Sequence, residues 1–246
     1  MIIAFVVMAS ATVTGVSAPP AEAIIGGSTS SRTWTVALIN PDQSLPMSKR
    51  IECSGVLLSR YVVATSHHCR QAIRNAKVVI GRSNLSSSGG HVTTISKSKR
   101  HGGADIELIV LKTPAPASLT PISMFSSTQL KPGNDIHPYG YGRTGTDQTA
   151  GLSPTLRRTT LRVNKNIGSD FLATWDCRSI AGGDSGGPAT RVVDGREYLV
   201  GVNRGYTVPH LGDPCRGGGY GSTFVRVTPG PDDQVYRWVK SNKNGW

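Results

Sequence analysis

The 246-residue sequence predicts an all-β fold, built as a sandwich or as barrels, with one α-helix at its C-terminal end. Short runs rich in β-branched residues recur along the chain between turn signals, which is typical of such folds. The 29 glycines and 15 prolines supply many turns, and a hydrophobic fraction of 37% is typical of a globular protein. The clearest amphipathic helical pattern lies at Asp232–Lys240, where acids come first and a lysine comes last, as the helix dipole favours.

The predicted strands lie between residues 33 and 227. They are Thr33–Ile39, a hairpin of Gly55–Ser59 and Tyr61–Thr65 around Arg60, Lys77–Ile80, His91–Ile95, Ile106–Leu111, Leu161–Val163, Tyr198–Val202 and Thr223–Val227. The stretch from 112 to 131 is rich in Pro, Ser and Thr, which predicts a linker between two β halves.

Residues 1–23 have the pattern of a secretory signal peptide. The apolar run Met1–Ala9 is too short to span a membrane as a mature helix, and the segment ends in the cleavage pattern Ala21-Glu22-Ala23. We therefore expect export and a mature extracellular chain of residues 24–246 without a membrane anchor. The alternative is a buried N-terminal strand, and the lack of Lys or Arg before the apolar run is atypical of a signal peptide.

The chain is strongly basic, with 27 Lys and Arg against 15 Asp and Glu and a net charge of +12. The basic residues are spread over many short groups, and no basic helix with interleaved aromatic residues is present in the sequence. This distribution predicts a cationic surface that adheres to acidic polymers rather than a specific nucleic-acid site.

The four cysteines are even in number, which in an exported chain predicts two disulfides. Three pairings are possible, and Cys53–Cys69 with Cys177–Cys215 is the one that keeps each bridge within one half of the chain. Free buried thiols are the alternative. The spacing lacks the closely spaced pairs of a zinc site, so we expect no metal.

The most specific stretch is Ala181–Ala189, in which a single serine, Ser185, stands among four glycines. Glycine permits backbone angles that other residues avoid, so this stretch suits a tight, exposed turn that carries a reactive side chain. The same turn can direct the amides of Gly183 and Ser185 at one point, as a developing oxyanion requires. The alternative is a flexible glycine loop.

A serine hydroxyl needs a base to remove its proton, and histidine suits this role because its pKa lies near neutrality. The candidates are His67 and His68, and we favour His68 because a disulfide at the adjacent Cys69 would fix its backbone. A carboxylate must then hold the other ring nitrogen. Asp105 opens a predicted strand, which would leave this carboxylate at the rim of a barrel.

Five motifs resemble those of chymotrypsin-like serine peptidases and follow one another in that family's order. They are Ile24–Gly27, Cys53–Leu58 with Thr65–Cys69, Asp105–Leu108, Gly140–Thr144 and Gly183–Pro188. The resemblance spans residues 24–246 and implies two antiparallel six-stranded-type β-barrels with the active site between them. It places the N-terminal barrel at about 24–120, the C-terminal barrel at about 121–230 and the C-terminal helix at about 231–243.

The resemblance also implies roles for individual residues. Ser185 would attack the scissile carbonyl, His68 would act as base and then as acid, and Asp105 would orient His68. The amides of Gly183 and Ser185 would form the oxyanion hole. A free ammonium at Ile24 would be buried against Asp184, because a buried charge needs a partner.

The implied activity is that of a secreted serine endopeptidase that acts on proteins or peptides without a cofactor, as a monomer, with proteinaceous protease inhibitors as possible partners. The alternatives are an esterase on the same fold and a catalytically inactive binding relative.

The specificity pocket is the part in which the sequence departs most from the family pattern. Ser179 stands six residues before Ser185, at the expected pocket base, and Asn203, Gly205 and Ser222 are the expected walls. These residues carry no charge, so we expect an uncharged residue before the cleaved bond. Cys177 is displaced upstream of its usual place, and the alternative alignment brings Asp176 into the pocket.

Overall fold

The computed structural model describes residues 24–127, 130–145, 151–207 and 221–246. The strands are β1 (Ser28–Thr29), β2 (Thr35–Ile39), β3 (Ile51–Leu57), β4 (Val62–Thr65), β5 (Lys77–Ile80), β6 (His91–Thr93), β7 (Ile95–Arg100), β8 (Glu107–Leu111), β9 (Asp135–Gly140), β10 (Arg157–Arg158), β11 (Leu161–Ile167), β12 (Asp170–Thr174), β13 (Pro188–Val193), β14 (Arg196–Thr207) and β15 (Gly221–Arg226). The helices are α1 (Met47–Arg50), α2 (Arg70–Ile73) and α3 (Gln234–Asn242), and a 3₁₀ turn spans His67–Cys69. No helix in these described ranges is long and apolar enough to cross a membrane.

The second half of the chain forms a closed barrel of six strands. Its strand order is β9-β11-β12-β15-β14-β13, and β13 returns to β9, where Ala189 pairs with Pro138. The stacked rings of Phe171 and Phe224, with centroids 4.8 Å apart, lie in its core. Burial of such aromatic side chains is a major source of stability in β folds.

The first half forms a curved sheet in the order β6-β5-β2-β3-β4-β8-β7. Its edge strands β6 and β7 follow one another in the chain and are separated only by Thr94. The stretch from 91 to 100 therefore pairs first with β5 and then with β8, and the sheet curls into a half-barrel. The predicted all-β barrel fold is confirmed, with the second barrel closed and the first one partly open.

The strand predictions agree with the structure where the sequence is rich in β-branched residues. The predicted hairpin is β3 and β4, in which Val56 pairs with Ala64, and the predicted helix is α3, which buries Val235 and Val239. Six strands were not predicted, namely β1, β9, β10, β12, β13 and, apart from its first residue Ile95, β7. Both β9 and β13 contain proline, which in a sequence argues against a strand.

Candidate active site

The predicted catalytic histidine lies on the 3₁₀ turn His67–Cys69, directly after β4. Cys69 is disulfide-bonded to Cys53 in β3, so the end of the turn is covalently fixed to the first sheet. Cys177 is also disulfide-bonded, and its predicted partner, Cys215, lies outside the described residues. The turn begins at Ser66, whose hydroxyl donates to the Asn203 carbonyl at 2.7 Å and so joins it to the second barrel.

His68 and Asp105 form a two-point contact. The backbone N–H of His68 donates to Oδ1 of Asp105 at 2.9 Å, and its Nδ1 lies 2.7 Å from Oδ2. Burial opposes ionisation of Asp105, but the hydrogen bonds from His68 outweigh it and lower the pKa of this carboxyl below its ordinary value. An ionised Asp105 accepts both bonds, which fixes the ring with its Nε2 available for chemistry.

The loop before β13 carries Ser185 and depends on glycine at several positions. Gly183 and Gly186 have φ of +95° and +83°, in the left-handed region that favours glycine. A Cβ on Gly183 would lie 2.0 Å from Leu152, and one on Gly186 would lie 2.4 Å from the Ser54 carbonyl. The glycines therefore allow this loop to pack tightly against both halves of the molecule.

Ser185 and His68 line the same cleft, which has a volume of about 420 Å³. Its other lining residues are Glu52, Cys53, Cys69, Gln71 and Ala72. The Ser185 carbonyl accepts from the Ser54 amide at 2.8 Å, which fixes the serine backbone to β3. Within the described residues, the Gly183 and Ser185 amides donate to no protein carbonyl, so both remain available to a bound oxygen.

Asp184 is fully buried next to Ser185. Its Oδ1 and Oδ2 accept from the amides of Gly142 and Ala181, each at 2.8 Å. No Lys, Arg or His of the described residues forms an ion pair with it, and burial raises its pKa to about 7. Ile24 is also fully buried, and the adjacent Ile25 pairs with Ser179. The Ile24 nitrogen is part of a peptide bond in this chain and carries no charge.

Two of the four predicted pocket residues lie together. The hydroxyls of Ser179 and Ser222 are 3.2 Å apart, and both residues are fully buried. The Asn203 side chain does not join this pair, because its amide nitrogen donates to the carbonyls of Tyr139 and Asp184 at 2.9 and 3.0 Å. Gly205 is half-buried in β14.

Sequence reasoning missed the partner of His67. Nδ1 of His67 lies 2.8 Å from Oε2 of Glu107, and Oε1 of Glu107 accepts from Ser98 at 2.5 Å. The available sequence signals were the second histidine at position 67 and an acid, Glu107, within a predicted strand. Only the register of β7 and β8 brings Ser98 and Glu107 together. Among the described residues, no cluster of three or more His, Cys or acidic side chains is placed to bind a metal ion.

The family model for trypsin matches residues 24–238. Trypsin iota from Drosophila melanogaster is 27% identical over 194 residues, which cover 67% of this chain and 72% of that relative. Chymotrypsin-like elastase family member 1 from Bos taurus is 27% identical over 206 residues, or 73% of this chain and 77% of that relative. Since the family match spans most of the sequence, the chain belongs to the trypsin family of serine proteases.

Proposed function

We propose that the chain is a secreted serine endopeptidase in which Ser185, His68 and Asp105 cleave peptide bonds through an acyl-enzyme. The observation that carries the proposal is the two-point contact of His68 with Asp105, on a turn that shares one cleft with Ser185. This arrangement supplies a nucleophile, a base and a group that orients the base.

In the first half of the reaction, Oγ of Ser185 bonds to the scissile carbonyl carbon while its proton passes to Nε2 of His68. The proton then moves to the leaving amine as the C–N bond breaks, which leaves an ester on Ser185. Water attacks this ester by the same route in the second half, and the acid product and the free Ser185 hydroxyl are released. Asp105 stays ionised throughout and stabilises the imidazolium.

The amides of Gly183 and Ser185 would bind the oxyanion of each tetrahedral intermediate. The positive φ of Gly183 sets the direction of this part of the backbone, and the Ser54 hydroxyl supports it by donating to the Gly183 carbonyl at 2.9 Å. A side chain at position 183 would meet Leu152, so the shape of this hole requires glycine.

Activation would follow from signal removal after Ala23. The new Ile24 ammonium would provide the buried Asp184 carboxylate with the cation that it lacks in the continuous chain, since an unpaired buried charge is costly. Secretion and activation would then be one event. A rival route, in which a remnant from Pro19 to Ala23 is trimmed by a separate protease, gives the same mature start.

The substrate residue before the cleaved bond would be uncharged. The proposed pocket base, Ser179, lies against Ser222, and this buried pair carries no charge. A guanidinium or ammonium placed there would lack a carboxylate partner, which disfavours Arg and Lys substrates.

The test uses the processed protein that begins at Ile24, its Ser185→Ala variant and, as a matched control, Ser86→Ala at an exposed loop position. A fluorophosphonate should label the wild type and the control at Ser185 and leave Ser185→Ala unlabelled, with a loss of peptide hydrolysis on the order of 10⁶. Failure to label the wild type would identify an inactive binding relative. Labelling with turnover of esters but not of peptides would identify an esterase.

A further inference from the structure

The most unusual group beside the proposed catalytic residues is Arg204 on β14. Its side chain is 47% exposed, and its guanidinium lies between two carboxylates. Nη1 is bonded to Oδ2 of Asp170 on β12, and Nε lies 3.9 Å from Oδ2 of Asp105. The two acids are far less exposed than the arginine, at 16% and 17% of their side chains.

The Asp105 oxygen that faces Arg204 is also the oxygen that faces the His68 ring. Oδ2 lies 2.7 Å from Nδ1 of His68 and 3.9 Å from Nε of Arg204. A continuous line of alternating charges therefore runs from Asp170 through Arg204 and Asp105 to His68. It connects the closed barrel to the half-barrel at the point where the histidine must gain and lose a proton.

We propose that Arg204, held in place by Asp170, is a positioning residue that acts on the His68–Asp105 pair. Its positive charge offsets the negative charge at Oδ2 of Asp105, the oxygen that lies next to Nδ1 of His68. The Asp170 carboxylate partly neutralises the Arg204 cation and so weakens its effect on that oxygen. This inference rests on the proposed function, because it assigns these two residues a part in the same reaction.

The other charged or titratable groups around His68 and Asp105 are the His67–Glu107 pair on the inner side, Glu52 in the cleft, Arg70 at the start of α2 and His101 on the loop before Asp105. Arg204 is the one within ion-pair distance of Asp105 besides His68 itself, in the part of the chain that the structure describes. Its positive charge contributes to the lowered pKa of Asp105, after the hydrogen bonds and charge of His68.

The inference makes predictions of opposite sign for the two partners. Loss of the Arg204 cation leaves more negative charge near His68, which favours the imidazolium. Loss of the Asp170 carboxylate leaves the Arg204 cation uncompensated, which disfavours the imidazolium and favours the neutral ring. Since His68 must be neutral to act as a base, the acid limb of the pH profile shifts to higher pH in the first case and to lower pH in the second.

The experiment measures the second-order rate of labelling by a fluorophosphonate against pH, because this small reagent reacts at Ser185 without depending on the specificity pocket. We expect Arg204→Met to move the acid limb up by about half a pH unit and Asp170→Asn to move it down by a similar amount. Arg204→Lys retains the cation and should stay closer to the wild type than Arg204→Met. The matched control is Arg162→Met, which removes a cation from an exposed ion pair with Asp135.

A second measurement separates this inference from the proposed function. The His68 ring is titrated by NMR in a Ser185→Ala background, alone and combined with Arg204→Met or with Asp170→Asn, where no turnover is needed. Opposite shifts for the Arg204 and Asp170 variants in both measurements support the inference. If both variants are labelled normally and match the wild type in their pH profile and NMR titration, the inference is overturned and the proposed function stands. Absence of labelling in the wild type overturns both. A structural role alone would lower the labelling rate equally at every pH.

Discussion

Two neighbouring histidines of this protein make the same kind of contact and are suited to different tasks. His67 pairs with Glu107 at 2.8 Å, and His68 pairs with Asp105 at 2.7 Å, so both rings are held by a carboxylate through Nδ1. The side chains of the first pair are 26% and 7% exposed, and those of the second are 46% and 17% exposed. The first pair lies in the wall of the half-barrel, and the second borders the cleft that contains Ser185.

A histidine–carboxylate pair therefore does not by itself identify a catalytic base. Glu107 receives hydrogen bonds from both His67 and Ser98, so this pair joins the histidine turn to β7 and β8. Asp105 instead binds the backbone and the ring of His68, which leaves that ring free to face a substrate. Access to the nucleophile distinguishes the two pairs.

The largest expected effect separates the two rings directly. His68→Ala should reduce kcat by about 10⁶, as loss of the base does in other serine protease triads, and His67→Ala should be far milder. The measurement is peptide hydrolysis by purified processed proteins that begin at Ile24 and whose folding has been checked by circular dichroism. Equal losses in both variants would contradict the assignment of His68 as the base.

The second largest effect on kcat is expected from substitution of the carboxylates that hold the two rings. Asp105→Asn should lower kcat by about 10⁴, because the amide favours the wrong tautomer of the ring it holds, as in the chymotrypsin-type triad. Glu107→Gln keeps the shape of the buried side chain and should lower kcat far less than this. If Glu107→Gln caused the larger loss in steady-state assays, the roles of the two pairs would have to be exchanged.

A third carboxylate, the fully buried Asp184, has no cation beside it among the described residues, whereas the buried Glu107 has His67 beside it. Burial raises the folded-state pKa of Asp184 from 3.8 to about 7 in the continuous chain. The contribution of Asp184 to the free energy of unfolding should therefore be largest below about pH 4 and fall by up to about 4 kcal/mol as the pH rises to about 7. Asp184→Asn should remove this dependence, which denaturant unfolding at a series of pH values would measure.

The control for this prediction is a chain that begins at Ile24. Its ammonium provides a partner for Asp184, so the loss of stability toward neutral pH should be much smaller than in the continuous chain. The same pH dependence in both chains would argue against an ion pair between Ile24 and Asp184.

The smallest expected effect concerns the stability that the inner pair provides. Among the described residues, His67→Ala leaves the buried Glu107 with Ser98 as its one side-chain partner, and this should lower the free energy of unfolding by roughly 1–3 kcal/mol. His68→Ala acts on a more exposed pair and should cost less than about 1 kcal/mol. Denaturant titrations of the two variants test this order, which is the reverse of their order in activity.

The sequence by itself was sufficient for the features that depend on local chemistry. The β-branched runs predicted β5 and the hairpin of β3 and β4, because side-chain shape and alternation act over a few residues. The glycines around Ser185 predicted a turn that other residues could not form, and the positive φ of Gly183 and Gly186 is the physical basis of that pattern.

Tertiary structure alone decided which charged side chains form pairs and which side chains face the cleft. Glu107 meets His67 because β4 and β8 pair in one register, and Arg204 reaches Asp170 across 34 residues of sequence because β12, β15 and β14 are adjacent in the barrel. Such contacts depend on strand order and on the side of the sheet that each residue faces, which no local pattern encodes. The motifs therefore predicted the candidate triad, and the fold determined the charges that surround it.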